Sequence, residues 1–226
     1  MCSADGIIYP GYEYKMNNKD LVILPDVEEQ ASKMTEACLK TLVVFIGGAA
    51  DSLAQPLLRG VFVPYEKRYG ERGEKLQDIA YSEHGGGRIA ELIKKWADAG
   101  QKIVIIGHSW GGHRAICVAE ANPDITIEYL ATLDPVSWSK NGKQPKPGNV
   151  KQWTNIYVDY EVGDYSLPNI IARIGGPWQF CFSADFNESI NSKIIDDKKI
   201  AINQYNHADS WYMFEYKGIK NDIIKI

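Results

Sequence analysis

The sequence predicts an α/β protein, a mainly parallel sheet covered by helices on both faces. Three observations carry this. Strand-like and helix-like segments alternate along the chain, the pattern of a parallel sheet with helical crossovers. Two segments, Leu42–Ile46 and Ile103–Ile106, are unbroken apolar runs of buried-strand type. The second runs into a G-x-S-x-G pentapeptide, Gly107-His108-Ser109-Trp110-Gly111, and an apolar-patterned segment with Ala115, Ile116, Val118 and Ala119 follows. Strand, sharp turn and helix in that order are the context of a nucleophile elbow. At 226 residues the chain fits one domain, 1–226, in which 1–40 is only weakly assigned.

In chain order, Leu21–Leu24 reads as a short strand ending at Pro25, and Glu28–Leu39 as a helix or an irregular crossing. Leu42–Ile46 is a buried strand that runs into Gly47-Gly48-Ala49-Ala50. Val61–Tyr65 reads as another short strand, with Pro64 marking its end or an edge position. Ile89, Leu92, Ile93, Trp96 and Ala97 share one helical face, and Gly100 stops that helix. Strand Ile103–Ile106 and the elbow helix come next, and Asn122-Pro123 ends the helix. Ile125–Leu133 contains a strand. Ser139–Val150, rich in Lys, Gly, Asn and Pro, is an exposed loop. Asn155–Val158 gives one more strand. Gly163–Gln204 is the least regular stretch and reads as an excursion over the sheet.

Composition narrows the function. Lys+Arg is 25 against Asp+Glu 29, a net charge of −4, and no long basic block exists, so no nucleic-acid partner is expected. No apolar run approaches the roughly 18 residues of a transmembrane helix. The N-terminus lacks a basic region followed by an apolar stretch, so no signal peptide is expected. These readings leave a cytoplasmic protein or one exported by a non-classical route. The four cysteines, Cys2, Cys38, Cys117 and Cys181, match no zinc spacing. Cys117 reads as a small buried apolar residue. Cys2, followed by Ser3 and Ala4, reads either as the mature start of a lipoprotein or as an ordinary free cysteine.

The chemistry starts at Ser109. Its turn lifts the hydroxyl above the sheet, and flanking glycines avoid collisions with the neighbouring strand and helix. A serine needs a base within hydrogen-bond reach, and the base needs a third group to fix its tautomer. Where a G-x-S-x-G elbow carries the nucleophile, the triad partners follow in the order Ser, then Asp or Glu, then His. Of His84, His108, His113 and His207, only His207 lies well after the serine. His108, inside the elbow, is expected to point away from the nucleophile's face. Asp134, ending the apolar segment Ala131-Thr132-Leu133, is the first candidate acid. Asp159, Glu161 and Asp164 compete with it, and Asp134 also fits a turn aspartate that bonds its own backbone before Pro135. The oxyanion donors should be the amide of Trp110 and one from Gly47-Gly48-Ala49, with Gly48 and Ala49 the candidates.

Gly107-His108-Ser109-Trp110-Gly111-Gly112 resembles the elbow of lipases in the α/β-hydrolase superfamily, and Leu133-Asp134-Pro135 resembles the acid segment of many of them. With Ile174-Gly175-Gly176-Pro177-Trp178 and the late His207-Ala208-Asp209, these motifs are similar to those of small bacterial lipase-like hydrolases, some of them antibacterial effectors. The resemblance covers Leu42 to His207. It implies an α/β-hydrolase fold and cofactor-free ester hydrolysis through an acyl-enzyme. Its substrate would be a lipid or small ester, and its partners a membrane surface touched peripherally and, for an effector, an immunity protein. No long amphipathic lid helix is legible. A thioesterase or amidase with the same triad, and an inactive binding protein of the same fold, are the alternatives. Trp153, Tyr157, Tyr160, Tyr165, Trp178, Phe180, Phe182 and Phe186 crowd the stretch between acid and histidine, and are expected to wall an acyl site.

Overall fold

The computed structural model describes residues 7–8, 41–52, 54–70, 73–74, 76–86, 88–139, 142–162 and 164–226. The expected segments at 21–24 and 28–39, and Cys2 and Cys38, lie outside the described residues. The strands are β1 (Ile7–Ile8), β2 (Thr41–Gly47), β3 (Gln77–Glu83), β4 (Lys102–His108), β5 (Ile127–Leu133), β6 (Val150–Tyr157), β7 (Phe186–Ser189), β8 (Ser192–Ile195) and β9 (Lys198–Ala201). The α-helices are α1 (Val63–Tyr69), α2 (Ile89–Asp98), α3 (Trp110–Ala121), α4 (Leu167–Gly175), α5 (Ser210–Glu215) and α6 (Ile219–Ile224).

The first seven strands form one sheet in the order β1-β3-β2-β4-β5-β6-β7. All neighbours are parallel except the β1–β3 pair. Period-two alternation feeds two cores. Val43, Phe45, Val104 and Ile106 face a layer made by Val61, Phe62, Tyr65, Met213, Phe214 and Ile223. Leu42, Val44, Ile46, Ile103 and Ile105 face α2 and α3 through Ile89, Ile93, Ala115, Ile116 and Ala119. Both faces of the central strands are covered, which is why their sequences are apolar without interruption. The fold class is therefore the α/β one predicted, a mainly parallel sheet between helical layers.

Two elements differ from expectation. Val61–Tyr65 is helical, spanning the end of a π-helical turn (Leu58–Phe62) and the start of α1. Leu57, Val61, Phe62 and Tyr65 recur every three to four residues, a helical period, and all are buried. Phe45 receives Phe62, Tyr65 and Phe214 at ring-centroid distances of 5.9, 5.4 and 5.8 Å. Pro64 falls in the first turn of α1, where a missing N–H costs little. Strand β3 was not predicted. Gln77, Asp78, Ser82 and Glu83 dilute its apolar content, and its identity comes from pairing with β2 in register from Thr41↔Gln77 to Gly47↔Glu83.

The stretch 163–204 holds more order than its sequence suggests. It contains α4, the sheet strand β7, and the antiparallel hairpin β8–β9. This excursion and the loops after β2, β4 and β5 meet at the C-terminal edge of the sheet, where open α/β sheets gather their functional groups.

Candidate active site

Ser109 sits between β4 and α3 at φ 58°, ψ −128°. Such a positive φ is strained for a side-chain-bearing residue and is held by its surroundings. Ser109 N donates to Leu133 O at 3.0 Å, and Ser109 O accepts from Gly112 N at 2.9 Å and Val136 N at 3.1 Å. The elbow is thus strapped to the segment carrying Asp134. The glycines are needed for close approach. A Cβ on Gly107 would stand 2.3 Å from Gly111 O, and one on Gly111 would stand 2.0 Å from Ile46 O.

The structure brings the three predicted side chains into one line. Ser109 Oγ–H donates to His207 Nε2 across 2.8 Å. His207 Nδ1–H donates to Asp134 Oδ2 across 2.6 Å. An ionised carboxylate only accepts, which assigns this tautomer. Asp134 follows β5 and is itself at φ 44°. It is fully buried, and its Oδ1 accepts Val158 N at 3.1 Å. The competing carboxylates are engaged elsewhere. Asp159 is paired with Lys199 at 2.9 Å and accepts from Ser192 Oγ at 3.0 Å. Glu161 pairs with the same lysine, and Asp164 accepts from Ser166 N at 3.0 Å ahead of α4.

Gly48 lies directly behind the nucleophile. A Cβ there would stand 2.6 Å from Ser109 Cβ and 2.9 Å from its Oγ. Trp110 is the first residue of α3, so its amide is one of the N–H groups left over at a helix start. Ala49 opens the 3₁₀ turn Ala49–Ser52 and is exposed. That turn is anchored by Asp51, whose Oδ1 accepts Leu57 N at 2.8 Å and Oδ2 accepts Tyr81 Oη–H at 3.1 Å. Burial raises the Asp51 pKa to about 6, against the lowering effect of those donors.

Sequence reasoning missed several neighbours of His207. His108 does not point away. Its ring lies 4.9 Å from the His207 ring, and its Nε2–H donates to His207 O at 2.7 Å. Burial, then the neighbouring His207, lowers the His108 pKa to about 3, so it stays neutral. Asn169, buried in α4, accepts His207 N at 2.9 Å through Oδ1. His207 is therefore held at its backbone N, its backbone O and both ring nitrogens. The Tyr160 hydroxyl donates to Asp134 Oδ2 and lies 3.4 Å from His207 Nδ1. Spacing carried no signal for Asn169, whereas the His in Gly-His-Ser was visible.

The expected aromatic wall is divided. Trp153 and Trp178 are buried in the core against α2 and α3, on the other face of the sheet from Tyr160. Tyr165, Phe180 and Phe182 are exposed. Trp138, outside the expected set, is exposed beside the elbow, edge-on to Trp110 at 5.0 Å, and its Nε1–H donates to Ile174 O at 2.7 Å. Cys117 is half-buried with Sγ 3.3 Å from His113 Nε2, not enclosed as expected. Among the described residues, no group of three or more His, Cys, Asp and Glu is placed to hold a metal ion.

No protein-family model and no curated protein sequence matches the chain. Among solved structures, the fold is similar to that of the "putative cell surface hydrolase from Lactobacillus plantarum WCFS1", at 11% identity and a TM-score of 0.41. That match covers 84% of this chain and 97% of the other. A likeness this loose carries no information on activity.

Proposed function

We propose that this chain is a serine hydrolase that cleaves carboxylic esters through an acyl-enzyme on Ser109. The observation that supports it most is the hydrogen-bonded line Ser109–His207–Asp134 at a strained elbow. Ser109 Oγ attacks the ester carbonyl carbon while its proton passes to His207 Nε2. The carbonyl oxygen becomes an oxyanion, received by the Trp110 amide and the Gly48-Ala49 backbone. The tetrahedral intermediate then expels the alcohol, which takes the proton from Nε2. Water enters, gives its proton to the same nitrogen, attacks the acyl carbon, and the carboxylic acid leaves as Ser109 regains its proton. Asp134 keeps its charge throughout and stabilises the transient imidazolium.

An apolar acyl ester is the substrate class this reading favours. Apart from Leu76, every exposed large apolar side chain among the described residues lies between 138 and 212. Leu167, Ile170, Ile171 and Ile174 form the outer face of α4, whose Asn169 touches His207. A lipid surface is the partner such a face suits.

The test is Ser109→Ala. The wild type should be labelled by a fluorophosphonate and should hydrolyse p-nitrophenyl esters. The variant should lose labelling and retain at most about 10⁻³ of kcat, with an unchanged unfolding midpoint. Labelling that persists in the variant, or a wild type that neither labels nor turns over, would reject the proposal.

A further inference from the structure

We propose that Tyr160 is a positioning residue of this site: its phenol holds the Asp134 carboxylate and restrains the basicity of His207. The inference rests on the triad reading above and adds a fourth side chain to it. Two donors converge on one oxygen, Asp134 Oδ2: the Tyr160 hydroxyl and His207 Nδ1–H. The other oxygen is fixed by Val158 N at 3.1 Å. The carboxylate thus cannot rotate without losing a bond in a fully buried place, where an unpaired acceptor is costly.

The phenol is itself held. The Arg173 guanidinium lies 5.1 Å from the Tyr160 ring centroid, and Nη2–H donates to Tyr160 O at 2.9 Å. Nη1–H of the same residue donates to Asp164 O at 2.9 Å, so Tyr160 and the approach to α4 share one clamp. Burial, then the Asp134 charge, keeps the phenol protonated well beyond the alkaline range, so it acts as a donor at every working pH. Among the described residues, the charged or polar groups facing the Asp134–His207 pair are then Tyr160, Ser109, the neutral His108 from β4, and Arg173 from α4 behind the Tyr160 ring.

The electrostatic consequence has a definite sign. A hydrogen bond from the phenol withdraws charge from Oδ2. The carboxylate then favours the imidazolium of His207 less than a bare carboxylate would. Removing the hydroxyl while keeping the ring should strengthen the His207–Asp134 attraction and raise the protonation midpoint of His207. A ring that merely fills space would not do this.

The test is Tyr160→Phe in the full chain, read by NMR titration of the His207 imidazole and by the pH dependence of kcat/KM. The expected midpoint rises by about one pH unit, with the acid limb of the rate profile moving in step. The alkaline plateau should fall by about tenfold at most and KM should stay the same. Replacing Tyr160 with 3,5-difluorotyrosine, a stronger donor of nearly the same shape, should move the midpoint down, and it carries the test if the phenylalanine variant fails to fold. Midpoints that do not move in either protein would overturn the proposal and leave Tyr160 as packing. The NMR titration needs no turnover. A wild type without fluorophosphonate labelling whose midpoints still move would reject the hydrolase reading and leave the hydroxyl's role standing.

Discussion

Two of the three proposed triad residues stand at backbone angles that side chains avoid, Ser109 at φ 58° and Asp134 at φ 44°. Strain of this kind persists only where neighbours over-determine it. Here the neighbours are each other, since Leu133 O and Val136 N bond the backbone of Ser109 on either side of Asp134. His207→Ala should match Ser109→Ala in severity, because the pair acts as one unit and the losses do not add. Asp134→Asn keeps the shape but leaves the histidine tautomer unfixed, and should lower kcat by up to about 10⁴-fold. Both are read from kcat/KM on a p-nitrophenyl ester. A nearly silent Asp134→Asn beside a severe Asp159→Asn would move the acid to the next strand end. At this scale the serine was legible because a backbone requirement forces glycine around it, and the histidine because one candidate alone lay far enough downstream. The Tyr160 hydroxyl and the Asn169 amide were not legible. Each joins the site across a large sequence distance from the group it touches, 26 residues to Asp134 and 38 to His207.

Among the elements, the loop after β2 does the most to shape the site. Gly47-Gly48 ends the strand against the elbow, and the 3₁₀ turn that follows is pinned by Asp51 beneath Gly47. The pKa of Asp51 is raised on folding, from 3.8 to about 6, chiefly by burial. Its contribution to stability is therefore fully present below the unfolded value and is lost as pH rises through about 6. An asparagine does not titrate. The stability difference between wild type and Asp51→Asn should change against the wild type by on the order of 3 kcal/mol between pH 4 and pH 7. Urea midpoints across that range measure it, and a difference independent of pH would show that the carboxyl is not held as described. Elements with strong internal signals were legible, namely β2, β4, α2 and α3. Strand β3 was not, because its identity comes from its partner β2, and α1 was misread because Val61–Tyr65 is too short a window to separate a period of two from one of 3.6.

For the whole molecule, the distribution of exposed apolar surface decides what the proposed site would meet. Strands β2, β3 and β4 bury their large apolar residues, while the excursion between Asp134 and His207 shows many of them to solvent. Helix α4 shows the contrast within one element, with Asn169 and Ala172 buried and Leu167, Ile171 and Ile174 outward. Trp153 and Trp178 are committed to the core against α2 and α3, whereas Tyr165, Phe180 and Phe182 stay exposed. Each methylene fully removed from water contributes about 0.8 kcal/mol, so kcat/KM should rise by up to several-fold per methylene until the apolar contact is used up. The measurement is a p-nitrophenyl ester series from two to sixteen carbons, with phosphatidylcholine vesicles alongside. Substituting Ile171 and Ile174 by serine together should lower vesicle hydrolysis while leaving turnover of the acetate ester unchanged, because neither side chain touches the triad. A maximum at acetate with no vesicle hydrolysis would reject an apolar acyl substrate and leave a hydrolase of small soluble esters.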